Sequence, residues 1–309
     1  MLPGRFRFRR VYAGNTHLGF DNVVGRTSCT ALPSFGEQFR CGRVRHHLTI
    51  LMMISFIIPA YNEQDFIAPT IEQLRRSAKA AGAPYEIIVV ADGCTDATVE
   101  TARTCGSRVV EVELRHISAV RNAGAKIAKG DIFVFVDADT LIPEGTLAAA
   151  LEAHAVGAIG GGARVIVYGA LSWPARLLIR VMSRIIFWLR VTLGGFLWVD
   201  RGSFETVGGF DERYFAAEDI VMCKALKKLG KFTVVPEPMM TSGRKVEHRS
   251  LWENLGITLR LLLRGPKVFR RREGLEIWYD VETARSPNAR PPEDADQKSS
   301  QASSTTDGS

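Results

Sequence analysis

Two aspartates one residue apart, Asp137 and Asp139, follow the apolar run Ile132-Phe133-Val134-Phe135-Val136. The run is bounded by Gly130 and Pro143 and alternates aromatic with β-branched side chains, as a strand buried on both faces of a parallel sheet does. Ligands of such sheets bind beyond the carboxyl ends of the strands. Residues i and i+2 of extended chain point the same way, so both carboxylates are expected to face one site. Their repulsion is relieved by a divalent cation, and oxygen-only ligands suit Mg²⁺ or Mn²⁺. An isolated D-x-D also fits a solvated turn. A second acidic pair, Glu218-Asp219, opens the segment Ile220–Leu229, where the helix macrodipole favours acids without any function.

The elements that must position these groups alternate along the chain. Ile54–Ile58 reads as a strand stopped by Pro59, and Tyr61-Asn62-Glu63 leads into a helix from Phe66 to Ala81. Tyr85–Val90 is the next strand, closed by Asp92-Gly93-Cys94-Thr95-Asp96, where Asp92 also suits an Asx-turn. Thr95 or Asp96 caps a short helix through Val99 to Thr104. Val109–Val112 is a third, more exposed strand, and Ser118 is the expected cap of a helix from Ala119 to Ala128 that contains Arg121 and Asn122. Short links between alternating strands and helices predict an α/β fold, a mostly parallel sheet flanked by helices. Gly145–Ala153 then reads as helix, Ile159–Val167 and Phe196–Val199 as strands, Phe232–Val235 as a last strand and Thr241–Lys245 as a loop. G-x-G-x-x-G and G-x-x-x-x-G-K-[ST] are both missing, and Gly160-Gly161-Gly162 lacks the motif that should follow it, so dinucleotide and P-loop readings are poor.

The 309 residues carry a net charge of +7, but residues 1–51, with eight arginines against Asp21 and Glu37, hold +6 of it. A basic groove along the fold, and with it a nucleic-acid partner, is therefore not expected. This leader has no apolar h-region. Met52-Met53 stands just before the first strand and is the expected translation start, with an ordered basic arm as the alternative. Five scattered cysteines without a C-x-x-C argue for reduced thiols in a cytoplasmic setting.

Ile57-Ile58-Pro59-Ala60-Tyr61-Asn62-Glu63, Val89-Val90-Ala91-Asp92-Gly93-Cys94-Thr95-Asp96, Arg121-Asn122, Asp137-Ala138-Asp139, Gly208-Gly209-Phe210-Asp211-Glu212 and Glu218-Asp219 stand in a familiar order. The stretch from about Ile54 to Leu229 resembles the family 2, GT-A-fold, inverting nucleotide-sugar glycosyltransferases. The resemblance implies a Rossmann-like GT-A domain over residues 52–285, an enzyme that moves a sugar from a nucleoside-diphosphate sugar to an acceptor hydroxyl, and a metal. Pro59, Tyr61, Glu63 and Asp92 would frame the nucleoside, with Arg121, Asn122 and Asp137 near the nucleotide. Asp139, together with Asp137 and the late His248, would hold Mg²⁺ or Mn²⁺. The Glu218-Asp219 pair would carry the catalytic base, Asp219 taking the acceptor proton. Arg244 and Lys245 are further candidates for contact with the diphosphate. Ala91 departs from the pattern, standing where the family usually has a first acidic residue. That departure supports the alternative of a non-catalytic nucleotide-sugar-binding or scaffold protein on the same fold.

Trp173–Val191 combines Arg176, Arg180 and Arg184 at four-residue spacing with a wide apolar face, and three arginines rule against a spanning helix. Two expectations stay open: an interfacial helix that brings the enzyme to a lipid-linked or membrane acceptor, or a helix packed on the sheet or a partner. Leu251–Leu263 with the basic residues to Arg272 repeats the character, so 173–191 and 251–272 are the segments through which a peripheral contact with the inner face of the plasma membrane would be made, packing being the commoner outcome for such helices. From Ser286 to Ser309 large apolar residues vanish, and a disordered tail is expected.

Overall fold

The computed structural model describes residues 52–169, 173–192 and 195–244. The chain divides into two compact units, Met1–Leu48 and Thr49–Ser309, and every described residue belongs to the second. The basic leader 1–51, Lys245, His248, the 251–272 segment and the 286–309 tail lie outside the described residues.

The first half of the unit repeats one device. It runs β1 (Ile54–Ala60), α1 (Ile67–Ala80), β2 (Tyr85–Asp92), α2 (Thr98–Thr104), β3 (Arg108–Val112), α3 (Ile117–Ile127) and β4 (Ile132–Val136). Helices return the chain, so β1 pairs in parallel with β2 and β4, and β2 with β3. The strand order β3-β2-β1-β4 reverses direction at β1. In open α/β sheets the crevice at such a reversal, beyond the carboxyl ends of the strands, is where ligands bind.

The second half closes the sheet with β5 (Thr140–Leu141), α4 (Glu144–Ala155), β6 (Gly160–Tyr168), α5 (Trp173–Trp188), β7 (Phe196–Asp200), α6 (Arg201–Thr206), α7 (Glu218–Leu229) and β8 (Phe232–Ser242). β7 is antiparallel to β4 and β6, β8 is parallel to β6, and β5 is antiparallel to β8. The full order is β3-β2-β1-β4-β7-β6-β8-β5.

Both faces of the sheet are covered, which is why its strands read as unbroken apolar runs. Ile54, Phe56, Ile58, Val134 and Val136 point to one side, under Ile67, Ile71 and Leu74 of α1 and Leu147 of α4. Ile57, Phe133 and Phe135 point to the other, under Val120 of α3 and Met222, Cys223 and Leu226 of α7. The alternation is the period-two rule of extended chain.

Two local expectations need correction. The last strand runs on to Ser242, where the sequence suggests an end at Val235 and then a loop. Pro236 and Pro238 hide the continuation. The structure takes them up in a register shift of the β6–β8 pairing, where Ala163 pairs with Val235 and Arg164 with Pro238. Ser118 does not cap α3: the helix starts at Ile117, and the Ser118 hydroxyl donates instead to the Tyr214 carbonyl at 3.1 Å. The glycine run is a packing device, because a Cβ on Gly161 would stand 1.9 Å from the Thr233 carbonyl oxygen and 2.7 Å from Trp198 Nε1. Only bare backbone fits between β7 and β8 there.

Candidate active site

Beyond β1 the chain turns through Asn62, which takes a left-handed conformation (φ 55°). Its side-chain oxygen accepts from the Thr95 amide at 2.8 Å, and the Glu63 amide donates to Thr98 Oγ1 at 2.7 Å. The loops after β1 and β2 are thus stitched together. Pro59 is the buried penultimate residue of β1, and Tyr61 lies under the Arg115 guanidinium, 4.1 Å from ring centroid to Cζ. Asp92, buried at the end of β2, accepts at Oδ1 from the amides of Leu114 (2.7 Å) and Arg115 (3.0 Å). This carboxylate therefore shapes the turn after β3 rather than closing a turn of its own.

The D-x-D segment is not extended. Strand β4 ends at Val136, and the Thr140 amide donates to the Asp137 carbonyl at 3.0 Å, which makes residues 137–140 a turn. The i, i+2 rule holds for extended chain only, and here each aspartate is engaged by a guanidinium of its own. Arg121 Nη2 donates to Asp137 Oδ1 at 2.9 Å, and its Nη1 donates to Glu218. Arg244 Nη2 pairs with Asp139 Oδ2 at 3.1 Å and also with Glu63.

Two ion networks meet at this turn. One ties α3, the Asp137 end of the turn and the start of α7; the other ties the loop after β1, the Asp139 end and the residue group just past β8. Arg244 is only 1% exposed and its guanidinium lies 4.3 Å over the Phe66 ring. Burial alone would lower the Arg244 pKa, but Asp139 and Glu63 outweigh it and raise it. Arg121 behaves alike: burial pulls down, and Glu218, Asp137 and Asp219 together push it well above the ordinary arginine value. Burial, reinforced by the charge of Asp139, likewise raises the Tyr168 phenol, whose hydroxyl donates to the Asp139 carbonyl at 3.1 Å.

Glu218 and Asp219 are both buried in the first turn of α7, entered through Ala217 in a left-handed conformation (φ 58°). Asp219 Oδ1 accepts from the Ile220 amide at 2.7 Å. Asn122 serves the neighbouring loop: its amide group donates to the Phe210 carbonyl and accepts from the Phe210 amide, both at 2.9 Å, and donates to Glu212 at 2.9 Å. Gly209 (φ 75°) is required there, since a Cβ would lie 2.9 Å from Asn122 Oδ1.

Pro59, Tyr61, Glu63, Asp92, Asp137, Asp139, Glu218 and Asp219 thus lie on strand ends, loops or a helix start, and Arg121 and Asn122 in the second turn of α3; the ion pairs bring Glu63, Arg121, Asp137, Asp139 and Glu218 together through Arg121 and Arg244. Sequence reading missed Arg115, Tyr168 and His116. His116 stacks on Phe215 with ring centroids 4.5 Å apart, and its ring nitrogens are buried without a hydrogen-bond partner among the described residues. None of the three stands in a recognisable motif, and Arg115 comes beside Asp92 only through the fold, across 23 residues of sequence.

Five carboxylates (Glu63, Asp137, Asp139, Glu218, Asp219) against two guanidiniums leave this cluster acidic. Among the described residues no group of three or more His, Cys, Asp or Glu side chains is placed to hold a metal ion alone. The donor set fits a hard divalent cation that takes one or two carboxylates and completes its shell with phosphate oxygens and water.

Residues 55–205 match the family described as Glycosyl transferase family 2. That stretch belongs to the family. The chain is 33% identical over 110 residues to the undecaprenyl-phosphate 4-deoxy-4-formamido-L-arabinose transferase of Edwardsiella ictaluri, a match covering 33% of this chain and 34% of that protein. It is 32% identical over 130 residues to the dolichol-phosphate mannosyltransferase of Pyrococcus furiosus, covering 40% and 36%. The chain therefore spans about a third of the length of these curated relatives. Among solved structures it is similar to the mannosyl-3-phosphoglycerate synthase of Rubrobacter xylanophilus (TM-score 0.51, 19% identity, 72% of this chain and 75% of that one). It is similar also to a mannosyltransferase of Pyrobaculum calidifontis in complex with GDP-Man and Mn²⁺ (TM-score 0.51, 21% identity, 76% and 69%). At these identities the likeness speaks for the fold, which is GT-A.

Proposed function

We propose that this family 2 protein transfers a sugar from a nucleoside-diphosphate sugar to an acceptor hydroxyl with inversion at the anomeric carbon. The observation that carries the proposal is the junction of Asp137, Asp139, Glu63, Glu218 and Asp219 with Arg121 and Arg244 at the carboxyl edge of β1 and β4. Tyr61 and Asp92, on the loops after β1 and β2, are the nucleoside contacts, and Pro59 sets the exit of β1. Arg244, paired with Asp139, is the residue we assign to the diphosphate side, and Arg121 keeps Asp137 and Glu218 in register. Asn122 holds the Gly209-Phe210 backbone that forms the acceptor side.

Asp139 and Asp137 are the protein ligands of a Mg²⁺ or Mn²⁺ ion bound with the diphosphate; His248 is a third candidate. When bound, that ion neutralises the charge that builds on the leaving diphosphate. Asp219 accepts the proton of the attacking hydroxyl, the one base that a single displacement needs. Glu218, held by Arg121, fixes the start of α7 and so the direction in which Asp219 points. The acceptor is lipid-linked or membrane-associated, a reading supported by relatives named for undecaprenyl phosphate and dolichol phosphate.

Calorimetric titration with UDP, GDP, CDP and dTDP sugars, each in Mg²⁺, in Mn²⁺ and in EDTA, tests the donor half. Binding of one nucleotide class that weakens at least tenfold in EDTA is expected, and Asp219→Asn should retain it while abolishing transfer. The non-catalytic alternative, on which Ala91 is the sole bearing feature, predicts the same binding with no released diphosphate in the parent protein.

A further inference from the structure

Helix α5 violates the usual plan of a surface helix. A helix packed on a globular core turns its apolar stripe inward and its polar face to water. The inner side of α5 follows that plan: Phe187 packs against the core beneath α7, and Ser183 Oγ donates to the Val165 carbonyl of β6 at 2.9 Å. The outer side does not. Trp173 and Trp188 are 77% and 81% exposed, and Leu177, Val181, Ile185 and Leu189 are exposed with them. Trp173, Leu177, Val181 and Ile185 recur every four residues and form one row along the helix. Arg176, Arg180 and Arg184, also exposed, form a second row beside it, turned by about 100°.

Among the described residues the charge on α5 itself is all positive. No Asp or Glu occurs between Glu152 and Asp200, and among the described residues none of the three arginines makes an ion pair. Arg164 of the neighbouring strand lies close enough to Arg184 that burial, then that charge, lowers its pKa, with Glu237 partly offsetting. Arg190 and Lys227 add cations at the far end, where Lys227 Nζ donates to the Leu189 carbonyl at 2.9 Å.

An apolar row alone does not name its occupant, but an apolar row edged by unpaired cations and ended by two indoles does. A second copy of this chain would have to bury arginines against arginines. An anionic lipid surface takes apolar side chains at the acyl boundary, indoles at headgroup level and guanidiniums on phosphates. We infer that α5 lies in the plane of an anionic membrane, Trp173 to Trp188 inward, with Arg176, Arg180 and Arg184 on lipid phosphates. No described helix is long and apolar enough to cross a membrane. The helix has 16 residues, about 24 Å, and lies along the surface. This inference stands without the glycosyltransferase reading, because vesicle binding and sugar transfer are measured separately.

The experiment is flotation of the full chain with vesicles of phosphatidylcholine alone and of equal parts phosphatidylcholine and phosphatidylglycerol, at 50 mM and 500 mM salt. Binding at least tenfold tighter to the anionic vesicles, and lost at high salt, is expected. Joint Arg176→Gln, Arg180→Gln and Arg184→Gln should weaken it about a hundredfold, at about fivefold per arginine. Trp173→Ser with Trp188→Ser should weaken it tenfold or more at unchanged charge. All five side chains are exposed, so an unchanged urea midpoint certifies the fold of each variant. Lipids brominated along the acyl chain should quench the parent's fluorescence and lose most of that effect in the Trp variant. Failure of the parent to float, or equal flotation of either variant, overturns the inference. So does a dimer in sedimentation that Trp188→Ser dissolves while vesicles bind nothing, since that result makes the face a contact between copies or with another part of the chain.

Discussion

Replacing Arg244 with glutamine removes the guanidinium that Glu63 and Asp139 share while keeping most of its volume. The Glu63 and Asp139 carboxylates, both almost wholly buried, then lose the cation they share. Breaking a buried ion pair from one side costs about 3–5 kcal/mol, because the remaining charge is neither solvated nor paired. That is a large part of the roughly 5–15 kcal/mol that holds a domain folded. With about 2 kcal/mol per M of urea dependence, the midpoint should fall by about 2 M in EDTA. A divalent cation can take the place that the guanidinium left. At a hundredfold excess over its dissociation constant, a native-state ligand returns about 2.7 kcal/mol. Arg244→Gln should therefore regain more than half of the lost midpoint in Mn²⁺, whereas the parent, whose Asp139 is already paired, gains less. Urea unfolding of both proteins, each in EDTA and in Mn²⁺, reads this directly. An equal fall with and without Mn²⁺, or a fall below about 0.3 M, would refute the argument that Arg244 and a cation both compensate the charge at Asp139.

Asp219→Asn should bind donor as the parent does and lose about 10²–10⁴-fold in the rate of transfer, measured as released nucleoside diphosphate; retained turnover would remove Asp219 from the base role. Gly161→Ala places a Cβ 1.9 Å from the Thr233 carbonyl oxygen and should lower stability by about 3 kcal/mol or more, seen as insolubility or a reduced urea midpoint. Burial pushes the Cys223 thiol up to about 12 from an ordinary 9.0, so iodoacetamide at pH 8 should alkylate the half-buried Cys105 in the native protein and leave Cys223 intact by peptide mass. The same shift makes the Cys223 contribution to stability fully present below pH 9 and lost as pH rises towards 12; Cys223→Ala should flatten the alkaline limb of a stability–pH curve.

Much of this was legible in the order of residues. The apolar runs of β1, β2 and β4, each closed by an acid or a Pro, announce a parallel sheet because a strand covered on both faces has no polar side to show. Asp139, Glu63 and Asp219 stand out because they follow or precede such elements. The pairings between them do not: Arg121 meets Glu218 across 97 residues and Arg244 meets Glu63 across 181. No local pattern encodes partners so distant. Extended-chain geometry fails at Asp137–Asp139 for a different reason, since the backbone bond from Thr140 to Asp137 bends the segment before both aspartates have passed. The prolines of β8 mislead because a proline that breaks an ordinary strand is tolerated at a bulge. Asn122 looks like a ligand contact by residue type, and in the fold its amide is spent on the backbone of Phe210.

The central claim is best tested by following release of nucleoside diphosphate from a panel of nucleotide sugars by the full chain, with Mg²⁺, with Mn²⁺ and with EDTA, beside Asp139→Ala. The account predicts release from one donor, abolished in EDTA and reduced on the order of 10²-fold or more by Asp139→Ala. Release that is indifferent to both EDTA and Asp139→Ala would contradict it.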